Sequence, residues 1–254
     1  LDPWATPQAY DNAKDFFDTG ITWSNSLNVA QMLDKSSYSI SLGNTHQDGI
    51  ISSTGMDRYN VKVSADTKLT NNWSSGFTAN YITTSIDKAV TSGNGLLRTV
   101  YAAPPSYDLA GIPSHVDGNP YTQNSFRGSF DNAYWAMENN KFTEDTNRFF
   151  GNVYASYQTD FGTTNHKLNA KYMVGVDAYT THYVDSYGYG SNTGGGRGQI
   201  ENYGWTNATY NSLLTINYDW HINEDWGLNA VVGNEIIQSN RKKYYEYGTN
   251  YNFP

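Results

Sequence analysis

The feature that most restricts how this chain can fold is a period-two alternation of residue character that holds for about ten residues at a time. Tyr59, Val61, Val63, Ala65, Thr67 and Leu69 take one face of an extended segment, while Asn60, Lys62, Ser64, Asp66 and Lys68 take the other. That is strand periodicity, not helix periodicity. It recurs with Trp73, Phe77, Ala79 and Tyr81 against Ser74, Gly76, Thr78 and Asn80, and with Leu168, Ala170, Tyr172, Val174, Val176 and Ala178 against Asn169, Lys171, Gly175 and Asp177. A fourth instance sets Ala208, Tyr210, Leu214, Ile216, Tyr218 and Trp220 against Asn207, Thr209, Asn211, Thr215, Asn217 and Asp219. Half-buried strands of soluble proteins run to about five or six residues. Runs of about ten suit a tilted strand crossing a hydrocarbon core.

Composition does not oppose this. Only 38% of the 254 residues are hydrophobic and the mean hydropathy is −0.65, values that look soluble. A barrel strand, however, shows only every second residue to lipid and the rest to a polar interior. No apolar run approaches the roughly 18 residues of a membrane helix. The absence of cysteine removes disulfides and thiolate metal sites and fits a chain that crosses an oxidising periplasm unfolded. Residues 1–10, with Pro3, Trp4 and Pro7, lack the basic start and apolar core of a secretory signal, so a leader was removed or the chain is a fragment. A net charge of −8, with Arg241, Lys242 and Lys243 as the one basic cluster, argues against a nucleic-acid partner.

Eight strands are predicted, near 20–30, 36–45, 58–69, 73–86, 147–160, 166–183, 205–220 and 226–246. Their connections alternate in length. Segments 31–35, 70–72, 161–165 and 221–225 are short and hold the Asn, Asp or Gly of tight turns; 46–57, 87–146 and 184–204 are long. Outer-membrane barrels have this asymmetry, with brief periplasmic turns and extended extracellular loops. Trp73, Trp220 and Trp226 all flank short turns and all fall on the outward face, as an interfacial aromatic girdle requires; the competing reading makes them core tryptophans of a sandwich. Residues 1–19 and 248–254 read as loop. A sheet ending that way leaves free edges, so part of a larger barrel is expected beyond it.

Several strings then resemble one family, the SusC-like TonB-dependent transporters of the bacterial outer membrane. They are Asp15-Phe16-Phe17-Asp18-Thr19-Gly20 with Asn25-Ser26-Leu27-Asn28-Val29, and Ser37-Tyr38-Ser39-Ile40-Ser41-Leu42-Gly43-Asn44 with Gln47-Asp48-Gly49-Ile50. The string Asn132-Ala133-Tyr134-Trp135-Ala136-Met137-Glu138-Asn139-Asn140, leading into Arg148, Gly151 and Asn152, is similar to the family's Asn-Pro-Tyr-Trp segment, with Ala133 in place of proline. The resemblance covers nearly the whole chain, although Gln31-Met32-Leu33-Asp34-Lys35 departs from the expected Gly-Gly-Asn-rich turn. It implies that residues 1–254 are an eight-stranded piece of a barrel of about 22 strands. It also implies a plug and a TonB-contacting segment outside this sequence, a SusD-like surface lipoprotein as partner, and import of glycans or peptides across the outer membrane.

For such a role the useful groups are inward-facing polar side chains, here Lys62, Asp66, Lys171, Asp177 and Glu235, and loop aromatics. Within 87–146 the candidates for contact with ligand or partner are Tyr101, Tyr107, Tyr121, Arg127, Tyr134 and Trp135. The alternative is that these rings pack a long loop on itself. No catalytic residues are expected: Asp177 and Glu235, two strands apart at about 10 Å, exceed the usual separation of paired glycosidase carboxylates, and no His-backed nucleophile is present. Five scattered histidines give no metal-ligand spacing and no cofactor is implied. The glycine run Gly188, Gly190, Gly194, Gly195, Gly196 and Gly198 lacks the Lys-Ser/Thr of a phosphate loop and reads as a mobile tip. Two other readings remain: a soluble or surface all-β carbohydrate-binding module, and a complete small barrel acting as adhesin or outer-membrane hydrolase.

Overall fold

The computed structural model describes residues 8–90, 95–161, 165–193 and 195–253. The reading of residues 1–7, of Gly194 and of the middle of the 161–165 turn lies outside the described residues. Eight strands form one antiparallel sheet in strict chain order: β1 (Thr22–Met32), β2 (Ser36–Asp48), β3 (Gly55–Lys68), β4 (Trp73–Lys88), β5 (Lys141–Asp160), β6 (His166–Tyr189), β7 (Arg197–His221) and β8 (Gly227–Thr249). All eight predicted strands are there. Three short helices complete the fold: α1 (Asn12–Phe16), α2 (Leu96–Ala102) and α3 (Ala133–Asn139).

Cross-strand register shows how the alternation is used. Residues directly opposite each other share a face, so Tyr38, Ala65, Phe77, Val153, Val174, Ser212 and Ile236 form one row across β2 to β8. Parallel rows on this face include Trp73, Tyr157, Ala170, Ile216 and Val232 toward the short turns, and Leu27, Leu42, Val61, Tyr81, Phe149, Ala178 and Ala208 toward the long connections. On β4 this apolar belt runs from Trp73 to Tyr81, within about the 9–11 residues of a tilted spanning strand. The belt is uncovered: Leu27, Ile40, Leu42, Phe77, Val153, Val174, Val232 and Ile236 are all exposed. Beyond it the same face turns polar with Thr83, Asn147, Thr180 and Thr206. Trp73 and Trp220 stand on the apolar face at the short-turn end, where Trp73 packs against Tyr157 at 4.9 Å, and Trp226 is exposed in the turn before β8.

The opposite face is polar, and the few buried apolar residues lie elsewhere. Phe16, Ile51, Leu96, Val100, Leu109, Ala133, Trp135 and Ala136 form a small core at the long-connection end. It belongs to a cap built from α1, α2, α3 and the segments between them. Residues 1–19 are thus not loop throughout, because α1 is needed to bring Phe16 into this core; Asp11 caps it by accepting from the Lys14 amide.

All three long connections are shorter than predicted. The segments predicted at 46–57 and 184–204 shrink to 49–54 and 190–196, because β2, β3, β6 and β7 continue as ladder past the apolar belt. The connection after β4, predicted at 87–146, is trimmed to 89–140 and carries α2 and α3. The departing turn at 31–35 closes conventionally: Met32 ends β1, and the Leu33 amide donates to the Ser36 carbonyl at 2.7 Å.

Candidate functional site

The cap is organised around α3. Asn132 is its N-cap and accepts from the Tyr134 and Trp135 amides at 3.0 and 3.2 Å. Ala133 therefore occupies the first helical position, where the proline of the resembling segment would also fit, since that position needs no amide donor. Trp135 follows, wholly buried, its indole N–H donating to the Pro120 carbonyl at 2.8 Å. Gly190 lies beneath it with φ of +100°, and a Cβ there would come within 2.2 Å of the Tyr121 carbonyl. The glycine run is in this respect not a free tip: Gly188 belongs to β6, and Gly190 is a close-packed floor under α3.

One carboxyl group joins the cap to the β6–β7 connection. Asp131 is 7% exposed and accepts from Gln123 Nε2 at 2.7 Å, Ser191 Oγ at 2.6 Å, the Asn192 amide at 2.7 Å and Asn192 Nδ2 at 2.8 Å. Asp131→Ala leaves the buried Ser191 hydroxyl without its acceptor and releases the Asn192 donors, and one unsatisfied buried donor costs about 1–3 kcal/mol. The expected result is faster hydrogen exchange in both 89–140 and 190–196; exchange raised in only one segment would mean that the joint is not cooperative.

The six loop candidates are all in or on this cap. Tyr134 is half-buried, edge-on to Phe16 at 5.4 Å, and its hydroxyl donates to the Asp15 carbonyl at 3.3 Å. Burial, followed by the charges of Asp15, Asp18 and Asp108, raises its phenol above the ordinary value. Tyr107 packs on Phe126 at 5.7 Å, and burial likewise raises its phenol. Tyr101 at 68% and Tyr121 at 43% exposure offer open rings, and exposed Arg127 sits 5.3 Å from the Phe130 ring. Trp135 has no surface to offer a ligand in this arrangement. Its place is underneath the others.

The five inward candidates share the polar face. Lys62, Asn80, Phe150, Asp177, Thr209 and Ser239 make one row, and Asp66, Gly76, Tyr154, Met173, Leu213 and Glu235 another. Tyr154 donates to Asp66 at 2.6 Å, and Lys171 Nζ lies 4.2 Å from the Tyr154 ring. Gly76 makes room for that pair, since a Cβ there would meet the Tyr154 ring at 2.8 Å. Asp177 takes a two-pronged pair from Arg148, at 2.8 and 2.6 Å. The register also corrects the Asp177 to Glu235 spacing: besides two strand spacings they are four residues apart along the strands, about 13 Å more. That separation suits no glycosidase pair.

Sequence reasoning passed over the densest part of this wall. Tyr183, Tyr203 and Tyr245 lie in one row with Glu144, nearer the cap. Tyr183 stacks on Tyr203 at 4.9 Å and 8°, Tyr203 meets Tyr245 at 6.4 Å, and Trp205 lies 5.4 Å from Tyr183 under the Arg241 guanidinium at 4.7 Å. The parity of Tyr183 and Tyr245 was readable; Tyr203 fell in a supposed loop.

Comparison with solved structures ties this arrangement to one architecture. The chain is similar to the RagAB peptide transporter, with a TM-score of 0.76 and 16% identity over 99% of this chain and 28% of that one. It is also similar to the RagAB peptide importer in its open-open state, with a TM-score of 0.76 and 15% identity over 99% and 28%, and in its closed-closed state, with 0.73 and 17% over 96% and 27%. The fold is therefore shared at low identity. The chain spans little more than a quarter of those chains' length. No family model matches the sequence, and neither does any curated protein. Among the described residues no group of His, Asp and Glu could hold a metal, and no helix is long and apolar enough to cross a membrane, which says nothing about crossing by strands.

Proposed function

We propose that residues 1–254 form part of the barrel wall of an outer-membrane transporter that takes up oligosaccharides or peptides, working with a SusD-like surface lipoprotein and energised through TonB. The observation that carries this reading is the two-faced sheet. One face is a largely apolar belt, broken by a few polar side chains such as Ser75, Ser212 and Asn234, with tryptophans at one rim, and the other is lined by hydrogen-bonded and ion-paired side chains. In water the belt would be an exposed apolar surface far larger than soluble monomers tolerate; against lipid it is the favoured solution. A soluble carbohydrate-binding module offers no reason for it. The likeness to a peptide importer at the level of fold supports the same direction, and leaves glycan or peptide as alternatives.

In this reading the belt meets lipid, the short turns face the periplasm and the cap faces outward. Lys62, Asp66, Lys171, Asp177 and Glu235 line the passage, and Tyr101, Tyr107, Tyr121, Arg127 and Tyr134 surround the entrance for ligand or lipoprotein, held by Trp135. Strand edges at β1 and β8 would be closed by further strands, because unpaired backbone groups in lipid cost several kcal/mol each. The test is uptake of labelled oligosaccharide and peptide mixtures by cells carrying the full-length protein. Expected are heat-modifiable migration of the detergent-extracted protein and uptake abolished when TonB is deleted. A compact monomer that stays soluble without detergent overturns the proposal.

A further inference from the structure

On the cap-proximal polar wall the protein holds one of its own ammonium groups between an aromatic ring and a carboxylate. Lys88 Nζ lies 4.4 Å from the centre of the Tyr183 ring and 3.5 Å from Glu144 Oε2, so an aromatic face and a carboxylate together hold an ammonium group. One strand further, the same parts recur. Tyr203 stacks on Tyr183, Tyr245 stands beside Tyr203, and the Tyr203 hydroxyl donates to Asp185 Oδ2 at 3.1 Å. Asp185 and Glu201 face each other in the next row toward the cap, on the same face as both rings.

This second set has no cation of its own. Among the described residues no lysine or arginine forms an ion pair with Asp185 or Glu201. Across these two rows three carboxylates, Glu144, Asp185 and Glu201, face one ammonium, that of Lys88. Of the other cations on this face, Arg241 rests on the Trp205 ring and Lys243 stands in the Trp205 row, both deeper, while Arg197 stands two rows nearer the cap and donates to the Tyr251 carbonyl at 3.3 Å. Tyr245 lies directly opposite Tyr203 on the same face of the sheet.

We infer that Tyr203 and Tyr245, with Asp185 and Glu201, form a subsite for a cationic side chain of a peptide, that is lysine or arginine. The inference rests on the transport reading above and adds the chemical class of the ligand. A neutral sugar could stack on the tyrosines, but it would leave the two carboxylates without an opposite charge, whereas a guanidinium satisfies ring and carboxylates together.

The test uses the full-length protein purified in detergent. The probes are a short peptide with a single arginine and its citrulline counterpart, of nearly equal size but uncharged. Expected is at least tenfold tighter binding of the arginine peptide, and near-equal binding of the two by the Asp185→Asn/Glu201→Gln variant. Tyr203→Leu should weaken the arginine peptide several-fold more than the citrulline peptide, while heat-modifiable migration shows that each variant is folded. Equal binding of the two peptides by the unaltered protein overturns the inference, as does a double variant that weakens both alike. If neither peptide binds while labelled oligosaccharide is imported, the subsite falls and the transport reading stands; if nothing is imported or bound, both fall.

Discussion

Replacing Trp135 by alanine is expected to unfold the helical cap and leave the sheet standing. The ring is wholly buried among Phe16, Leu96, Val100 and Leu109, and removing a buried Trp costs about 3–5 kcal/mol in a core that cannot collapse around the gap. The cap has few other buried apolar side chains with which to compensate. The sheet keeps its own ladder, which the cap core does not share. Hydrogen exchange reads the difference: protection in 89–140 should drop by roughly a hundredfold or more, at about 1.4 kcal/mol per factor of ten, while the belt of β6 exchanges as before. Trp135→Phe keeps most of the volume but loses the bond to the Pro120 carbonyl, so it should fall between. Unchanged protection in Trp135→Ala would show that the cap is held mainly by polar contacts such as those of Asp131. The same variant bears on function. Tyr101, Tyr121, Arg127 and Tyr134 owe their positions to this core, so any binding by the cap should vanish without a contact residue having been altered.

The second large effect separates the two faces of one strand. Val153 lies in the middle row of the apolar belt and Asn152 is its neighbour on the polar face. Val153→Arg should lower stability in lipid by about 2–4 kcal/mol, the cost of an arginine at the midplane of a barrel's lipid face. Asn152→Arg, one residue away, should change stability by less than about 1 kcal/mol, because lumen positions accept charge. Denaturant titration of the full-length protein refolded into vesicles measures both. Equal effects would remove the membrane assignment of the belt, whatever else the sheet does.

Much of this architecture was legible in the chain. Strand existence, the short turns and the faces of Trp73 and Trp220 follow from parity, and parity is dependable where one face must be apolar, because a slip by one residue would turn every side chain over. Above the belt that constraint ends. In β6 beyond Tyr183 and in β7 before Gly204 both faces are polar or aromatic apart from Val184 and Ile200, so the alternation fades although the ladder continues. Tyr203 therefore reads as loop in the sequence, and the tyrosine row emerges only from the ladder. The helices α2 and α3 are each seven residues long, too short for a helical period to stand out, although Asn132 before Tyr134 and Trp135 was a capping signal that could have been read. The burial of Trp135 had no local signature. It depends on Gly190 and Pro120 arriving from distant parts of the chain.

Every pairing in the sheet joins strands that are consecutive in sequence. Seven such pairings mean that each new strand needs only the one before it, and three of the seven follow a described turn of a few residues. Loop closure is thus brief for those steps, the circumstance in which assembly is fast. The cap obeys a different rule, since its core draws on residues near 16, 51, 96–109 and 130–136, and its floor on Gly190. It can form only once β1 to β6 have brought those places together. The sheet can grow one hairpin at a time from either end, and the cap is finished last, so a chain whose strands had paired in the wrong register would have no cap to display.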